Sequence, residues 1–291
     1  MSLNFQNVSI IIVSFKSDLV LKRCLKSIDK NINVILIDNS NNLNFKKEIE
    51  RNYKNVRCVL SNNIGMGAGN NLGLKIVKTD YAFILNPDVE LKKDTIKEIL
   101  NAIKIIGSFA IIAPISDKKK YPNYHLFKDT DYNEKKPFLV KSVDGFAMFL
   151  NLKKLKKFKN FNFFDENFFL YLENEDLCKR LIQFGENIFI VPKSKITHLG
   201  GKAVNPKYKI EIELSRNWHW MWSKFYYHKK HYGYFAALRT VIGNLVSSKI
   251  KFIYYFFLGN NLKKRIYYMR LCGLLNSIMG KKSYYRPKLD N

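Results

Sequence analysis

Four places in this chain bring together side chains that could do chemistry. The first is Asn86-Pro87-Asp88, directly after the apolar run Tyr81–Leu85. A carboxylate at the end of a buried strand can bind a hard cation that bridges a diphosphate, although Asn-Pro-Asp taken alone is also favourable turn chemistry. The second is Tyr171-Leu172-Glu173-Asn174-Glu175-Asp176, which sets three carboxylates on one helical turn. Like charges this close repel, and burial lifts a carboxylate pKa towards that of a useful base. Acids at a helix start also complement its dipole, a role that suits Asp176 while one of the glutamates faces a ligand. The third is His198, between a short β-rich run and Gly200-Gly201. A lone histidine is usually structural or merely exposed, but a glycine-flanked one is more often a ligand to metal or phosphate. The fourth is the segment Ser61–Gly73, reading SNNIGMGAGNNLG. It permits close backbone approach to a ligand at a helix start, but its glycines do not fit the G-x-G-x-x-G dinucleotide spacing.

These groups need elements to hold them, and the hydrophobic pattern supplies them. Val8–Ser14 is a continuous apolar run, as expected of a strand covered on both faces. Ser17–Asp29 follows with Leu21, Leu25 and Ile28 at helical spacing. Strands are then expected at Val34–Ile37, Val56–Leu60 and Tyr81–Leu85, with helices near Phe45–Tyr53 and Asn70–Val77 between them. A helix near Lys92–Ile106, a strand at Phe109–Ala113, a polar loop or hairpin over Ser116–Pro137 and a strand at Val143–Leu150 come next. Phe161–Phe184 reads as a loop entering a helix, and Ile188–Val191 and Lys195–Thr197 as two short strands before His198. Such alternation predicts a parallel sheet with right-handed crossovers, whose ligands sit at the carboxyl ends of the strands. The polar clusters Asp38–Asn41, Ser61–Asn71 and Asn86–Glu90 all fall at those ends.

The chain has 291 residues with 50 Lys plus Arg against 24 Asp plus Glu, a net charge of +26. A surface of that sign attracts phosphorylated substrates, anionic lipid or nucleic acid, although compositional drift also explains it. Cys24, Cys58, Cys178 and Cys272 are scattered, which argues against a zinc site or a disulfide framework and fits a reducing compartment. Val8–Phe15 lacks the basic flank and cleavage site of a signal peptide, and no stretch has the length and purity of a membrane span. From Tyr208 onward the chain turns helical, aromatic and basic, with 14 Lys or Arg and one acid between Lys224 and Asn291. Tyr234–Leu258 is apolar, but Arg239, Lys249 and Lys251 interrupt it. Each would cost roughly 2.5–3.5 kcal/mol at a bilayer centre, so an interfacial helix or a packed subdomain is expected instead.

Taken in order, SIIIVSF at Ser9, IDNSNN at Ile37, SNNIGMGAGNNLG at Ser61, LNPDVEL at Leu85, DGFAMFL at Asp144, FDENFFLYLENEDLCKRL at Phe164, HLGGKA at His198 and NWHWMWSKFYYHKKHYG at Asn217 resemble family 2 glycosyltransferases, especially bacterial rhamnosyltransferase-like members. Each motif is weak alone, and the ordered set, from residue 9 to about 233, is specific. The resemblance implies an α/β GT-A nucleotide-diphospho-sugar transferase fold, a mostly parallel sheet flanked by helices, over residues 1–205, with a helical, basic and aromatic extension over 206–291.

What the resemblance implies for the site is specific. Asp38 would bind the nucleotide base with the backbone around Ser14, and Asn63, Gly67 and Asn70 would line the nucleotide-sugar pocket. Asp88 would be the surviving carboxylate of a D-x-D element, holding Mg2+ or Mn2+, with Asn86 where the first Asp often stands and His198 completing the contacts. The base would lie in a Glu-Asp pair that here reads Glu173-Asn174, leaving Glu173 and Glu175, with Asp176 beside them, as the catalytic acids. Ala203 is a second departure, where a hydroxyl residue is common. The implied reaction is an inverting transfer from dTDP-rhamnose, or a UDP-hexose, to a lipid-linked or polysaccharide acceptor, in the cytoplasm or peripherally at the inner membrane face. No nucleic acid is expected as a partner, while an anionic membrane surface and a homo-oligomer stay open. The competing reading is a non-catalytic basic protein, binding membrane or nucleic acid, with a degenerate GT-A domain. Acids converging at strand ends favour the enzyme, since a polyanion binder gains nothing from them.

Overall fold

The computed structural model describes residues 4–117, 122–130, 132–158, 161–200, 204–287 and 289. Gly201 and Ala203 lie outside the described residues. The chain forms two compact units, one of residues 1–165 and 174–205, the other of residues 166–173 and 206–291.

The first unit opens with β1 (Val8–Ser14), α1 (Asp18–Lys26), β2 (Asn33–Asp38), α2 (Leu43–Asn52), β3 (Val56–Leu60), α3 (Met66–Ile76) and β4 (Tyr81–Leu85). It continues with β5 (Val89–Leu91), α4 (Thr95–Ile106), β6 (Ile111–Ser116), β7 (Tyr124–His125), β8 (Phe138–Leu139), β9 (Ser142–Val143), β10 (Ala147–Asn151), α5 (Leu152–Leu155), α6 (Glu173–Gln183), whose first residue is counted with the second unit, and β11 (Ile188–His198). Among the described residues the main sheet runs β3-β2-β1-β4-β10-β6-β11-β5, with β8 beside β11. Strands β3, β2, β1 and β4 are parallel, as expected of strand–helix alternation, while β10 lies antiparallel between β4 and β6.

The unbroken apolar run of β1 is used on both faces. Val8, Ile10 and Ile12 pack with Leu21 and Leu25 of α1 and Ile99 of α4, whereas Ile11 and Val13 pack with Leu74 of α3 and Leu177 and Leu181 of α6. Helix α1 carries Leu21, Cys24 and Leu25 at i, i+3 and i+4 on its buried side, and Arg23 and Lys26 near its carboxyl end complement the dipole. Helix α2 is capped by Asn42, whose Oδ1 accepts from the Phe45 amide at 3.1 Å. Helix α3 starts at Met66, earlier than periodicity alone suggests, because Gly65 takes φ +94° and turns the chain into it. Its glycines let it lie close on the sheet. A Cβ at Gly73 would sit 2.5 Å from Ile11 Cγ2, and one at Gly69 2.8 Å from Val13 Cγ1.

Three departures from the sequence expectation have physical causes. Val143–Leu150 is two strands, since β9 pairs with β7 in a separate ribbon before the chain bends at Asp144-Gly145-Phe146 into β10. The two strands before His198 are one, interrupted between Val191 and Lys195, where Pro192 has no N–H to give the ladder. The cluster after β4 contains β5, which pairs antiparallel with β11 so that Val89 faces His198 in register.

In the second unit α7 (Lys209–Tyr232), α8 (Tyr234–Phe257) and α9 (Asn261–Ile278) pack around Met221, Phe225, Ala237, Val241 and Leu274. Gly273 permits the closest approach, since a Cβ there would meet the Trp218 carbonyl oxygen at 2.2 Å. The tail returns to α7. Buried His219 has Nε2 2.9 Å from the Tyr285 carbonyl and Nδ1 2.9 Å from Ser283 Oγ. A carbonyl only accepts, so Nε2 carries the proton and Nδ1 accepts from the serine. Burial drives the His219 pKa down to about 3, and the ring stays neutral. Among the described residues, no helix is long and apolar enough to cross a membrane.

Candidate active site

The parallel register brings the ends of β1, β2 and β4 to one edge, with Ser14 opposite Asp38 and Ile12 opposite Leu85. The Asn39 amide donates to the Ser14 carbonyl at 2.8 Å, and Asn39 Nδ2 donates to the Gly65 carbonyl at 3.1 Å, which ties this edge to the start of α3. Here a packed interior would have to satisfy its polar atoms, yet Ser14 Oγ, Asn39 Oδ1, Asn70 Oδ1 and Asp88 Oδ1 are buried without a hydrogen bond among the described residues. Unpaired buried acceptors are costly, and several of them lie at the carboxyl edge of a parallel sheet, the edge at which such sheets bind their ligands.

Asn86-Pro87-Asp88 is a turn, closed by the Val89 amide donating to the Asn86 carbonyl at 3.1 Å. The turn and a chemical role for Asp88 are therefore compatible. Asp88 is only 2% exposed, and its backbone carbonyl accepts from the Leu199 amide at 3.0 Å. That bond brings the carboxyl end of β11 alongside, where His198 Nε2 lies 3.5 Å from Asp88 Oδ1. The His198 ring stacks on Phe146 at a centroid distance of 3.9 Å. A buried carboxylate oxygen with a free acceptor and a neighbouring imidazole suit a hard or borderline divalent cation. Among the described residues no group of three protein ligands surrounds this point, so a cation here would take its remaining ligands from substrate phosphates and water.

Asp38 is buried, and its carboxylate organises its own loop. Oδ1 accepts from the Ser40 amide at 3.1 Å and the Ser40 hydroxyl at 2.6 Å, and Oδ2 from the Asn42 amide at 2.9 Å. Asn63 and Asn86 are half-buried and Gly67 is buried in the first turn of α3.

The acids near the start of α6 are separated by what surrounds them. Asp176 is fully buried and takes the Arg180 Nε at 2.8 Å, while the other arginine nitrogens donate to the carbonyls of Asn162 and Phe163 at 2.7 and 2.5 Å. It fastens the preceding loop to α6. Glu175 accepts from Ser142 Oγ at 3.1 Å and lies 3.7 Å from His125 Nε2; burial raises its pKa while the serine bond opposes the rise. Glu173 differs from both. Its Oε2 is buried with no partner among the described residues, and loss of solvent pushes its pKa up to about 7. It follows two non-glycine residues with positive φ, Tyr171 at 72° and Leu172 at 66°, a backbone strain of the kind found at functional sites. The Asn174 side chain is held at the bend before β10, its Nδ2 donating to the Val143 carbonyl at 2.8 Å.

Asp144 was not among the residues singled out by sequence. It sits in the bend between β9 and β10, its pKa raised by burial and pulled back by the nearby charges of His125 and His198. The Asp-Gly pair at the head of the apolar run Phe146–Leu150 was the available signal.

The sequence and the fold are similar to those of known proteins. The chain is 28% identical over 169 residues to the rhamnosyltransferase WbbL of Escherichia coli (strain K12), a stretch that is 46% of this chain and 60% of that protein, so the chain spans less than two thirds of that relative. The fold is similar to S. aureus TarS 1–349, with a TM-score of 0.52 at 15% identity over 96% of this chain and 93% of that one. It is also similar to the mannosyltransferase PcManGT from Pyrobaculum calidifontis in complex with GDP-Man and Mn2+, with a TM-score of 0.55 at 10% identity over 95% and 88%. The architecture, a mostly parallel sheet flanked by helices with a helical carboxyl-terminal region, is that of GT-A-type glycosyltransferases. The family model described as glycosyl transferase family 2 matches residues 9–171, more than half of the chain, which therefore belongs to that family.

Proposed function

We propose that this glycosyltransferase moves a sugar, rhamnose before other hexoses, from a nucleoside diphosphate to a hydroxyl of a lipid-linked or polysaccharide acceptor in cell-surface glycan synthesis. It would work in the cytoplasm, peripherally at the inner face of the membrane. The observation that carries the reading is Asp88. A buried carboxylate oxygen without a hydrogen bond among the described residues, 3.5 Å from His198 Nε2, stands at the edge where β1, β2 and β4 end. Similarity to WbbL supports rhamnose over other donors.

In this reading Asp38, Ser14, Asn63, Gly67, Asn70 and Asn86 line the nucleotide-sugar pocket, and Asp88 with His198 would hold Mg2+ or Mn2+. A bound divalent cation supplies charge neutralisation for the departing diphosphate. Burial pushes the Glu173 pKa up to about 7, which suits it to take the acceptor hydroxyl proton. As that proton leaves, the acceptor oxygen bonds to the anomeric carbon from the side opposite the diphosphate, which departs with the electron pair of its bond, and the configuration inverts. Glu175 is the alternative base. The test is release of nucleoside diphosphate from dTDP-rhamnose, UDP-hexoses and GDP-mannose with Mn2+ and a glycan acceptor. Release with dTDP-rhamnose above the others is expected; no release from any donor overturns the reading.

A further inference from the structure

The second unit presents a face that its own core leaves unused. In α8, Ala237, Val241 and Ser248 are buried, while Phe235, Ile242, Val246, Ile250, Ile253 and Phe257 are exposed, from 44% for Ile253 to 85% for Phe235. The successive spacings of seven, four, four, three and four residues put these six on one line along the helix. By the same periodicity Arg239 and Lys249, both exposed, fall on that line. From Gly233 to Leu289 the sequence has no Asp or Glu. Where α8 meets α9, Lys263 Nζ lies 4.9 Å from the Tyr255 ring centroid and Lys264 Nζ 5.6 Å from that of Phe256.

We propose that this face of α8 is the surface by which the protein lies on an anionic phospholipid bilayer. The six apolar side chains enter the head-group boundary, and Arg239 and Lys249 reach lipid phosphates. The inference rests on the peripheral placement proposed above, and adds which surface makes the attachment and which lipid charge it requires. Charge decides the occupant. A second copy of the same face would set Arg239 and Lys249 against their own kind with no acid to answer them. A nucleic acid would satisfy the cations but leave the aliphatic line in water. An anionic bilayer answers both at once, because apolar burial and attraction to acidic head groups add in an interfacial helix.

The experiment is cosedimentation of the full chain with vesicles of phosphatidylcholine alone or mixed with phosphatidylglycerol, at low and high salt. Binding to the anionic vesicles is expected, weakened by salt, with at least roughly tenfold weaker binding to neutral ones. The variant Phe235→Ser/Ile242→Ser/Phe257→Ser should lose binding by roughly tenfold or more while keeping its helical circular dichroism. Arg239→Gln/Lys249→Gln should weaken binding and flatten its salt response. Wild-type protein left in the supernatant with anionic vesicles at low salt overturns the proposal. So does a triple-serine variant that binds undiminished, or a dimer that this variant splits. Nucleoside diphosphate release without vesicles, measured on the same samples, separates the two readings: lost release with intact vesicle binding removes the transferase assignment alone, and the converse removes the attachment alone.

Discussion

The side-chain amide of Asn174 donates to the backbone carbonyl of Val143 at 2.8 Å, pinning the first turn of α6 to the end of β9. An ionised aspartate has no proton to give there. The position where family resemblance led to an acid is therefore a donor position in this chain. Asn174→Asp should destabilise the fold by about 1–3 kcal/mol, the cost of facing a carboxylate with an unsatisfied carbonyl. It should not raise transfer activity. Chemical denaturation and diphosphate release check both, and a variant that is stable and faster would return the base to this position.

Glu173 carries a prediction in rate and another in stability. Glu173→Gln should lower turnover by roughly 10²–10⁴ while donor binding persists. In the wild type, activity should fall as pH drops below about 7, because the base must be ionised. The stability effect has the opposite sense. With its pKa raised on folding from 4.5 to about 7, the folded state holds the proton longer than the unfolded one, so stability falls as pH rises through that window. The loss is on the order of 3 kcal/mol at most. Thermal unfolding of wild type and Glu173→Gln at pH 5 and pH 8 should show the glutamine variant gaining relative stability at pH 8. An unchanged difference, with normal turnover, would shift the role to Glu175.

Asp88 is buried, so an isosteric change tests it better than truncation. Asp88→Asn should keep the fold and abolish Mn2+-dependent stabilisation by nucleoside diphosphate, which in the wild type approaches about 2.7 kcal/mol when ligand exceeds its dissociation constant a hundredfold. His198→Gln should weaken the same response less. A folded Asp88→Asn protein with an undiminished Mn2+-dependent shift would remove Asp88 from the metal site.

Gly73 tests packing apart from chemistry. Its added Cβ would lie 2.5 Å from Ile11 Cγ2 in the middle of the sheet. Gly73→Ala should cost about 1–3 kcal/mol through overpacking, read as a lower denaturant midpoint. Equal stability would mean that α3 can ride up from β1 without loss.

Much of the architecture was legible in the residues themselves. The runs Val8–Ser14 and Tyr81–Leu85 coincide with β1 and β4, because a strand buried on both faces is apolar almost throughout, and Val56–Leu60 coincides with β3, an edge strand whose Arg57 is exposed; polar turns mark the ends of all three. The same polar turns fixed the edge at which Asp38, the glycine-rich segment and Asp88 gather. What the sequence could not determine was set by contacts far apart along the chain. Asp88 meets His198 only because β5 pairs with β11, and β5 is three residues long with no periodicity to announce it. Glu173, Glu175 and Asp176 are all carboxylates in the sequence, and only packing gives Asp176 to Arg180, Glu175 to Ser142, and leaves Glu173 Oε2 without a partner among the described residues. A carboxylate's chemistry depends on its solvent and neighbours, and folding decides those.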